Sequence, residues 1–464
     1  MVTLRNSLRP VNRLPPEVIA LCAASASQDA DLRPIVSLTH VCRHWRGAIV
    51  SSSGIWALID SRRNRLMPLC LGRAGSVPLT VRISASSVKT DEDFLKALLP
   101  RVSRIGHLSL TGYSSIEDIE RDLPGLLASP APNLVSLELE QTGEPTGSFP
   151  AHPLFQNVPG LKLLHLTRTP LHPILMSATS LLELKISGCT TPFRFGDFVG
   201  FLRSNPNLEH ITLGIQFHEV PAWIYPSRTV SLPRLRQLSF TSSHAMDTKG
   251  LISSISFPRG VSLEFSILQV DQNIEIRHFL PSPPTMVRDL LAPITVVRYG
   301  NSHKGEVYLS GNNSHFSFRC NQPFPLDPAF HLFNTSAVRE FHTKGSFRGE
   351  ILSWPLSQLP ALEALVLVDI NNSSSLSLGF LADEPVLCPS LKTVAFVDCS
   401  LGSSVIGELE GVVARRNSST AAWLHRVVVV DRAGKLPNSR LICQLRRFVP
   451  RVDISVDEGL PDLP

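Results

Sequence analysis

From residue 101 onward one spacing of apolar positions recurs: an apolar residue, two of any kind, another apolar residue, one of any kind, and a third. It reads IGHLSL from 105, LVSLEL from 134, LKLLHL from 161, LLELKI from 181, LEHITL from 208 and LRQLSF from 235. It returns as LEALVL from 362, LKTVAF from 391, LHRVVV from 424 and VPRVDI from 449. The alternating half of each phrase has the period of a strand with one face inward. Six copies follow a proline with one residue between, in APNL, VPGL, NPNL, LPRL, LPAL and CPSL, which places a turn before each of those strands. Amphipathic stretches lie between phrases: DEDFLKALLPRV at 91–102, GDFVGFLRS at 196–204, VIGELEGVVARR at 405–416 and RLICQLRRFV at 440–449. Strands alternating with helices predict the α/β class with parallel strands. A single repeat cannot bury its own apolar face, so the copies are expected to stack and share a core. Between 243 and 358 the spacing weakens. Strands are predicted there at VSLEFS from 261, ITVVRY from 294, EVYLS from 306 and VREFHT from 338. The choice in this stretch is between irregular repeats with longer insertions and a separate β-rich domain.

The first sixty residues follow another pattern. Leu14-Pro15-Pro16-Glu17-Val18-Ile19 has the look of a helix start. Proline loses nothing in a first helical turn, and Glu17 suits the positive end of the helix dipole. A short helix over 16–24 is expected, then a polar loop at 25–31, then a helix starting near Arg33-Pro34 and ending at the Ser51-Ser52-Ser53-Gly54 break. On that second helix Leu38, Val41, Cys42, Trp45 and Ile49 fall on one apolar stripe, with His40, Arg43, His44 and Gly47 opposite. His40, Cys42 and His44 raise the question of a metal site or a Cys/His dyad. Helix geometry turns Cys42 about 200° away from His40. That leaves two ligands where a structural zinc wants four, and no base beside the thiol.

Taken together, Leu14-Pro15-Pro16-Glu17-Val18-Ile19, Leu38-x-x-Val41-Cys42-Arg43-x-Trp45-Arg46 and Ile55-Trp56-x-x-Ile59 resemble an F-box, and are similar to the F-box families of mushroom-forming fungi. The resemblance covers about residues 11–60. It implies a three-helix module that docks onto the Skp adaptor of a cullin-RING ubiquitin ligase. The contacts it implies are Leu14, Pro15, Val18 and Ile19 from the first element and Val41, Cys42 and Trp45 from the second. Family members usually carry a bulky Ile-Phe pair late in the first helix, where this chain has Ala20-Leu21-Cys22-Ala23. The recurrent phrase resembles a degenerate leucine-rich repeat. Two copies reach the Cys of that pattern, Leu181-x-x-Leu184-x-Ile186-x-x-Cys189 and Leu391-x-x-Val394-x-Phe396-x-x-Cys399-x-Leu401. The implied architecture is a tail over 1–10, the helical module over 11–60, a basic linker and cap over 61–100, and a right-handed solenoid over 101–455 with its parallel sheet on the concave face. A tail over 456–464 ends it.

Composition sharpens this picture at three points. Thirty-seven prolines along 464 residues argue for many short elements rather than long helices. Eight cysteines without a C-x-x-C pair, behind an N-terminus with no apolar leader, read as free thiols, and the expected residence is cytoplasmic, nuclear or both. Residues 1–82 hold 11 Lys and Arg against 4 Asp and Glu, so the basic character is concentrated at the front, densest at Arg62-Arg63-Asn64-Arg65. A solvated linker explains that run without a nucleic-acid partner. No run of 18 apolar residues suggests a membrane span. The phosphate-loop, dinucleotide, nucleophile-elbow and zinc-protease motifs are all missing. No catalytic, cofactor-binding or metal-binding residue is therefore assigned. The expected role is that of a non-enzymatic substrate adaptor. The alternatives are a repeat scaffold without a ligase and an enzyme with an unrecognised site on an α/β frame.

The positions beside the inward leucines change character along the chain. Early copies offer His107, Ser109, Glu138, Lys185 and Thr212. Late copies offer Ala364, Val366, Val368, Thr393, Ala395 and Val397, then Val428 and Val430. Strands apolar on both faces are normally covered on both. The late set is therefore expected to form a client groove, to lie under the C-terminal tail, or to pack tightly across neighbouring strands.

Overall fold

The computed structural model describes residues 13–26, 32–88, 92–143, 158–169, 178–218, 229–268, 291, 294–301, 305–311, 315–320, 330, 333–344, 349–369, 378–382, 387–399, 401, 403–418, 422–431 and 439–455. The expected tails at 1–10 and 456–464 lie outside them. The fold is α/β and its strands are mostly parallel. The chain divides into two units. One is Met1–Leu208 with Thr212–Ile215, and the other is Glu209–Ile211 with Gln216–Pro464.

The first unit opens with helices α1 (Pro16–Ser25), α2 (Leu32–Thr39) and α3 (Arg43–Ser51), then a turn of helix at Ser53–Trp56. Six strands follow: β1 (Leu58–Asp60), β2 (Leu79–Ser84), β3 (Ile105–Tyr113), β4 (Ser136–Gln141), β5 (Leu163–Thr167) and β6 (Glu183–Arg194). Each is parallel to the next, in sequence order. The register lines up Leu108, Leu137, Leu164 and Leu184 in one row and Leu110, Leu139, Leu166 and Ile186 in the next, all at most 2% exposed. Here the repeat phrase becomes a core: its alternating leucines stack across strands about 4.8 Å apart. β1 and β2 lie in the stretch 58–84, where the repeat phrase does not occur. The boundary between the units falls within β7 (His210–His218).

The second unit carries β8 (Gln237–Ser242), β9 (Ser262–Ile267), β10 (Ile294–Asn301), β11 (Gly305–Gly311), β12 (His315–Cys320), β13 (Glu340–Lys344), β14 (Ala364–Val368), β15 (Thr393–Val397), β16 (Arg426–Val430) and β17 (Arg451–Ser455). Their spatial order is β8, β9, β12, β11, β10, β13, and then β14 to β17 in sequence. In the irregular stretch, between the parallel pairs β8–β9 and β13–β14, the chain inserts antiparallel strands into the sheet. A three-strand meander starts three places from β9, runs back to pair β12 with β9, and leaves β10 beside β13. β10–β11 and β11–β12 are the antiparallel pairs among the described residues. One inward row then runs Phe265, Phe318, Val307, Tyr299, Thr343, Leu367, Phe396 and Val429, each at most 5% exposed.

All ten phrases lie on strands, nine of them starting two residues into the phrase, because the opening leucine belongs to the turn. In every proline-preceded copy that residue's N–H returns to the carbonyl three residues back: Leu134 to Ala131, Leu161 to Val158, Leu208 to Asn205, Leu235 to Leu232, Leu362 to Leu359 and Leu391 to Cys388, at 2.9–3.3 Å. Proline favours the second position of such a turn and has no N–H to leave unpaired. The copy ATSL has no proline, and a neighbour closes its turn. Asn205, fully buried, donates to Ala178 O at 2.8 Å and accepts from Leu181 N at 3.1 Å. The strands also end alike. Arg168, Asp369 and Asp398 follow β5, β14 and β15 at φ near +50°, and each donates its N–H to a carbonyl of the next strand, that of Ser187, Val397 and Val430 respectively, at 2.7–2.8 Å.

Candidate functional site

The N-terminal helices are built around a small interior. Ile19, Ala23, Ile35 and Ile49 are fully buried, and Trp45 is 8% exposed. Pro15 O accepts from Val18 N and Ile19 N at 3.0 and 3.1 Å, which starts α1 where the prolines predict. The long second helix expected over 33–50 is instead two helices. Thr39 Oγ1 donates to Val36 O at 2.6 Å, and the N–H groups of His40 and Val41 close three-residue turns. Arg46 Nε takes the Thr39 carbonyl at 2.9 Å. Cys42 is extended at φ −160° and caps α3. A threonine hydroxyl that satisfies a helical carbonyl competes with continuing the helix. The break divides the expected stripe: Trp45 and Ile49 point inward, while Val41 is 51% exposed. Trp56 locks the unit from below, its Nε1 donating to Ile49 O at 2.9 Å and the Arg73 guanidinium lying 4.4 Å over its ring.

The seven expected adaptor contacts therefore separate. Ile19 and Trp45 fill the interior; Leu14 and Cys42 are half-buried; Pro15, Val18 and Val41 are exposed. Leu21 joins the exposed set at 68% and shares a face of α1 with Val18, three residues before it. The imidazole of His44 meets Leu14 O at 3.1 Å and so joins α3 to the start of α1. Among the described residues no three His, Cys, Asp or Glu side chains gather as metal ligands. No described helix is long and apolar enough to cross a membrane.

Of the six client-contact positions, Ala364, Val366, Thr393, Ala395 and Val397 are at most 6% exposed. Val366, Ala395 and Val397 join Val428 and Val430 in one buried cluster, with half-buried Val368 packed against it. A client surface cannot reach these five as they stand. Of the six, Val368 alone offers surface.

Val368 also borders a cavity of about 200 Å³ on the meander strands. Cross-strand register explains its lining. One row reads Arg319, Glu306, Gly300, Lys344, Val368 across β12, β11, β10, β13 and β14. The adjacent row reads Ser317, Tyr308, Arg298, His342. Gly300 contributes no side chain, so its face of the sheet has a gap there, bordered by long polar groups. The Arg298 guanidinium lies 5.5 Å over the Tyr308 ring, which meets His315 edge-on at 4.3 Å. His342 is buried and bonded to Glu340. Arg319 stands 3.9 Å from Glu306, a loose pair, and among the described residues neither Arg298 nor Lys344 has an ion pair. Thr343 Oγ1, beside the cavity, is buried without a hydrogen-bond partner. Burial pushes the His315 imidazole below its ordinary range; Glu264 opposes this, while Arg298 and Arg319 add to it.

The repeat phrase could not show this pocket, since the meander lacks the leucine-bearing turn. A signal was available in the alternation of VVRYGN, EVYLSG and HFSFRC around short polar breaks. Reading them as antiparallel neighbours sets Arg298 opposite Tyr308 and Glu306 opposite Arg319. Compared with known proteins, the chain matches no family model and no curated relative.

Proposed function

We propose that the chain is a substrate-positioning adaptor: its N-terminal helices form an F-box-like module that docks onto a Skp-type subunit of a cullin-RING ubiquitin ligase, and its repeats form a leucine-rich solenoid that holds a protein client. The observation that carries this reading is the apolar surface on the helical unit. Val18, Leu21 and Val41 are 37%, 68% and 51% exposed, although Ile19, Ala23, Ile35, Trp45 and Ile49 already fill its interior. Large apolar side chains left outside a satisfied core mark a partner surface. Pro15, just before the first helix, is exposed as well. In this role the chain does no chemistry itself.

The test is co-expression with a basidiomycete Skp-type adaptor and affinity capture. The wild-type chain should retain the adaptor, and a triple variant Val18→Asp, Leu21→Asp, Val41→Asp should lose it by more than ten-fold with an unchanged circular dichroism spectrum. Equal capture by both chains, or no capture by the wild type, overturns the reading. Client capture without any adaptor would leave a repeat scaffold in its place.

A further inference from the structure

We infer that the cavity at Gly300 is a binding site for a phosphate monoester. The lining holds three cationic side chains, Arg298, Arg319 and Lys344, and one carboxylate, Glu306. The remaining lining ion-pair candidate, His342, is already bonded to Glu340. Two positive charges are therefore left over, and among the described residues Arg298 and Lys344 have no anion of their own. A phosphate monoester carries nearly two negative charges at neutral pH and three acceptor oxygens; a single carboxylate carries one charge and needs one arginine fork. The surplus matches the first. Hydroxyl donors are at hand in Tyr308 and Ser317, both in the lining.

Backbone geometry supports the assignment independently of charge. Strands lie about 4.8 Å apart, so Glu306 and Lys344, on either side of β10, stand roughly 10 Å apart at the backbone. A residue without a side chain between them leaves the most room for a ligand on that face. Gly300 is that residue. It is not there to relieve crowding: a Cβ would find Glu306 Cβ at 3.5 Å and Glu306 Oε2 at 3.8 Å, ordinary contacts. The space above it is thus unoccupied by any steric need of the fold. This site lies in the second unit, and the inference does not depend on the N-terminal docking.

The monoester can be a free small molecule or a phosphorylated side chain, so two probes are used. Isothermal titration of the full chain with N-acetyl-O-phosphoserine amide should show saturable binding of one equivalent. Arg298→Ala with Lys344→Ala should weaken it at least ten-fold. Gly300→Val, which keeps every charge and fills the floor, should weaken it as much. Lys185→Ala, an exposed cation on β6, should leave it unchanged. A phosphoserine peptide that binds at least ten-fold tighter than the amide supports the site with a protein-borne ligand; equal binding supports it with a free one. No saturable binding, or Gly300→Val binding like the wild type in a chain with native circular dichroism, overturns the proposal.

Discussion

At the scale of single residues, the repeat turns depend on a few buried polar side chains. Arg416 is the extreme case. It is fully buried near the end of the helix Ser403–Asn417. Its guanidinium donates to the carbonyls of Leu387, Cys388, Pro389 and Leu391 at 2.9–3.3 Å and to Ala422 O at 3.2 Å. Burial pulls its pKa below the ordinary arginine range. The planar fork tolerates this because it spreads its charge over several acceptors; a lysine ammonium has fewer donors and a single centre. Arg416→Lys should therefore cost about 3 kcal/mol, since several buried carbonyls lose their partner at once. Urea unfolding of variant and wild type measures it, and a difference under about 0.5 kcal/mol, the level of an ordinary surface change, would show that the fork is dispensable. Asn205 has the same task with an amide, closing a turn that lacks its proline.

At the scale of elements, the strand phrase was legible because its physics is local. Alternating leucines after a proline turn specify both the strand and the start of its pairing. The meander was only partly legible: its strand HFSFRC has the right alternation but no leucine turn to announce it, and its reversed order depends on pairings distant in sequence. The second helix was misread because periodicity does not reveal that Thr39 would take its own helix's carbonyl. The late valines were correctly apolar on both faces, yet pattern alone could not say that Val366, Ala395 and Val397 are covered. The last strand pair shows how side chains finish what register begins. Register sets Arg426 directly opposite Arg451. Like charges so placed repel, and Asp453 lies between them, bonded to Arg426 Nε at 2.6 Å and Arg451 Nε at 3.0 Å. Desolvation raises the Asp453 pKa, but the two arginines outweigh it and the net shift is downward from 3.8. A depressed carboxylate stabilises the fold above its unfolded pKa and loses that contribution as pH falls through the folded value. Asp453→Asn should cost about 1 kcal/mol at pH 7, and the gap to wild type should close on acidification below the unfolded value. Thermal melts at several pH values read this directly; a gap independent of pH would assign the loss to packing instead.

At the scale of the whole molecule, the cysteines report which parts unfold together. Cys22, Cys42, Cys70, Cys189, Cys388, Cys399 and Cys443 are free thiols. Cys22 and Cys443 are exposed, whereas Cys70, Cys189 and Cys388 are buried. Burial pushes Cys70 up to about 11 and Cys189 and Cys388 up to about 12, against the smaller opposing pull of Arg73, of the Thr169 backbone and of Arg416 respectively. The thiolate is the reactive form, so these three stay inert at neutral pH twice over, for want of access and for want of charge. A maleimide pulse at pH 7.5, read by peptide mass, should label Cys22 and Cys443 within the mixing time and the buried three only as denaturant opens the fold. Cys70 and Cys189 lie on different elements of the same unit, one on the helix Met67–Ala74 and the other on β6. Stacked strands are coupled through their neighbours, so β1 to β6 open together when the interfaces between them, here the continuous buried rows, outweigh each strand's own instability. Both thiols should therefore become reactive at one urea midpoint. Cys70 opening well before Cys189 would mean that the unit frays from its helical front, and that the rows of leucine do not bind the front strands to the rest.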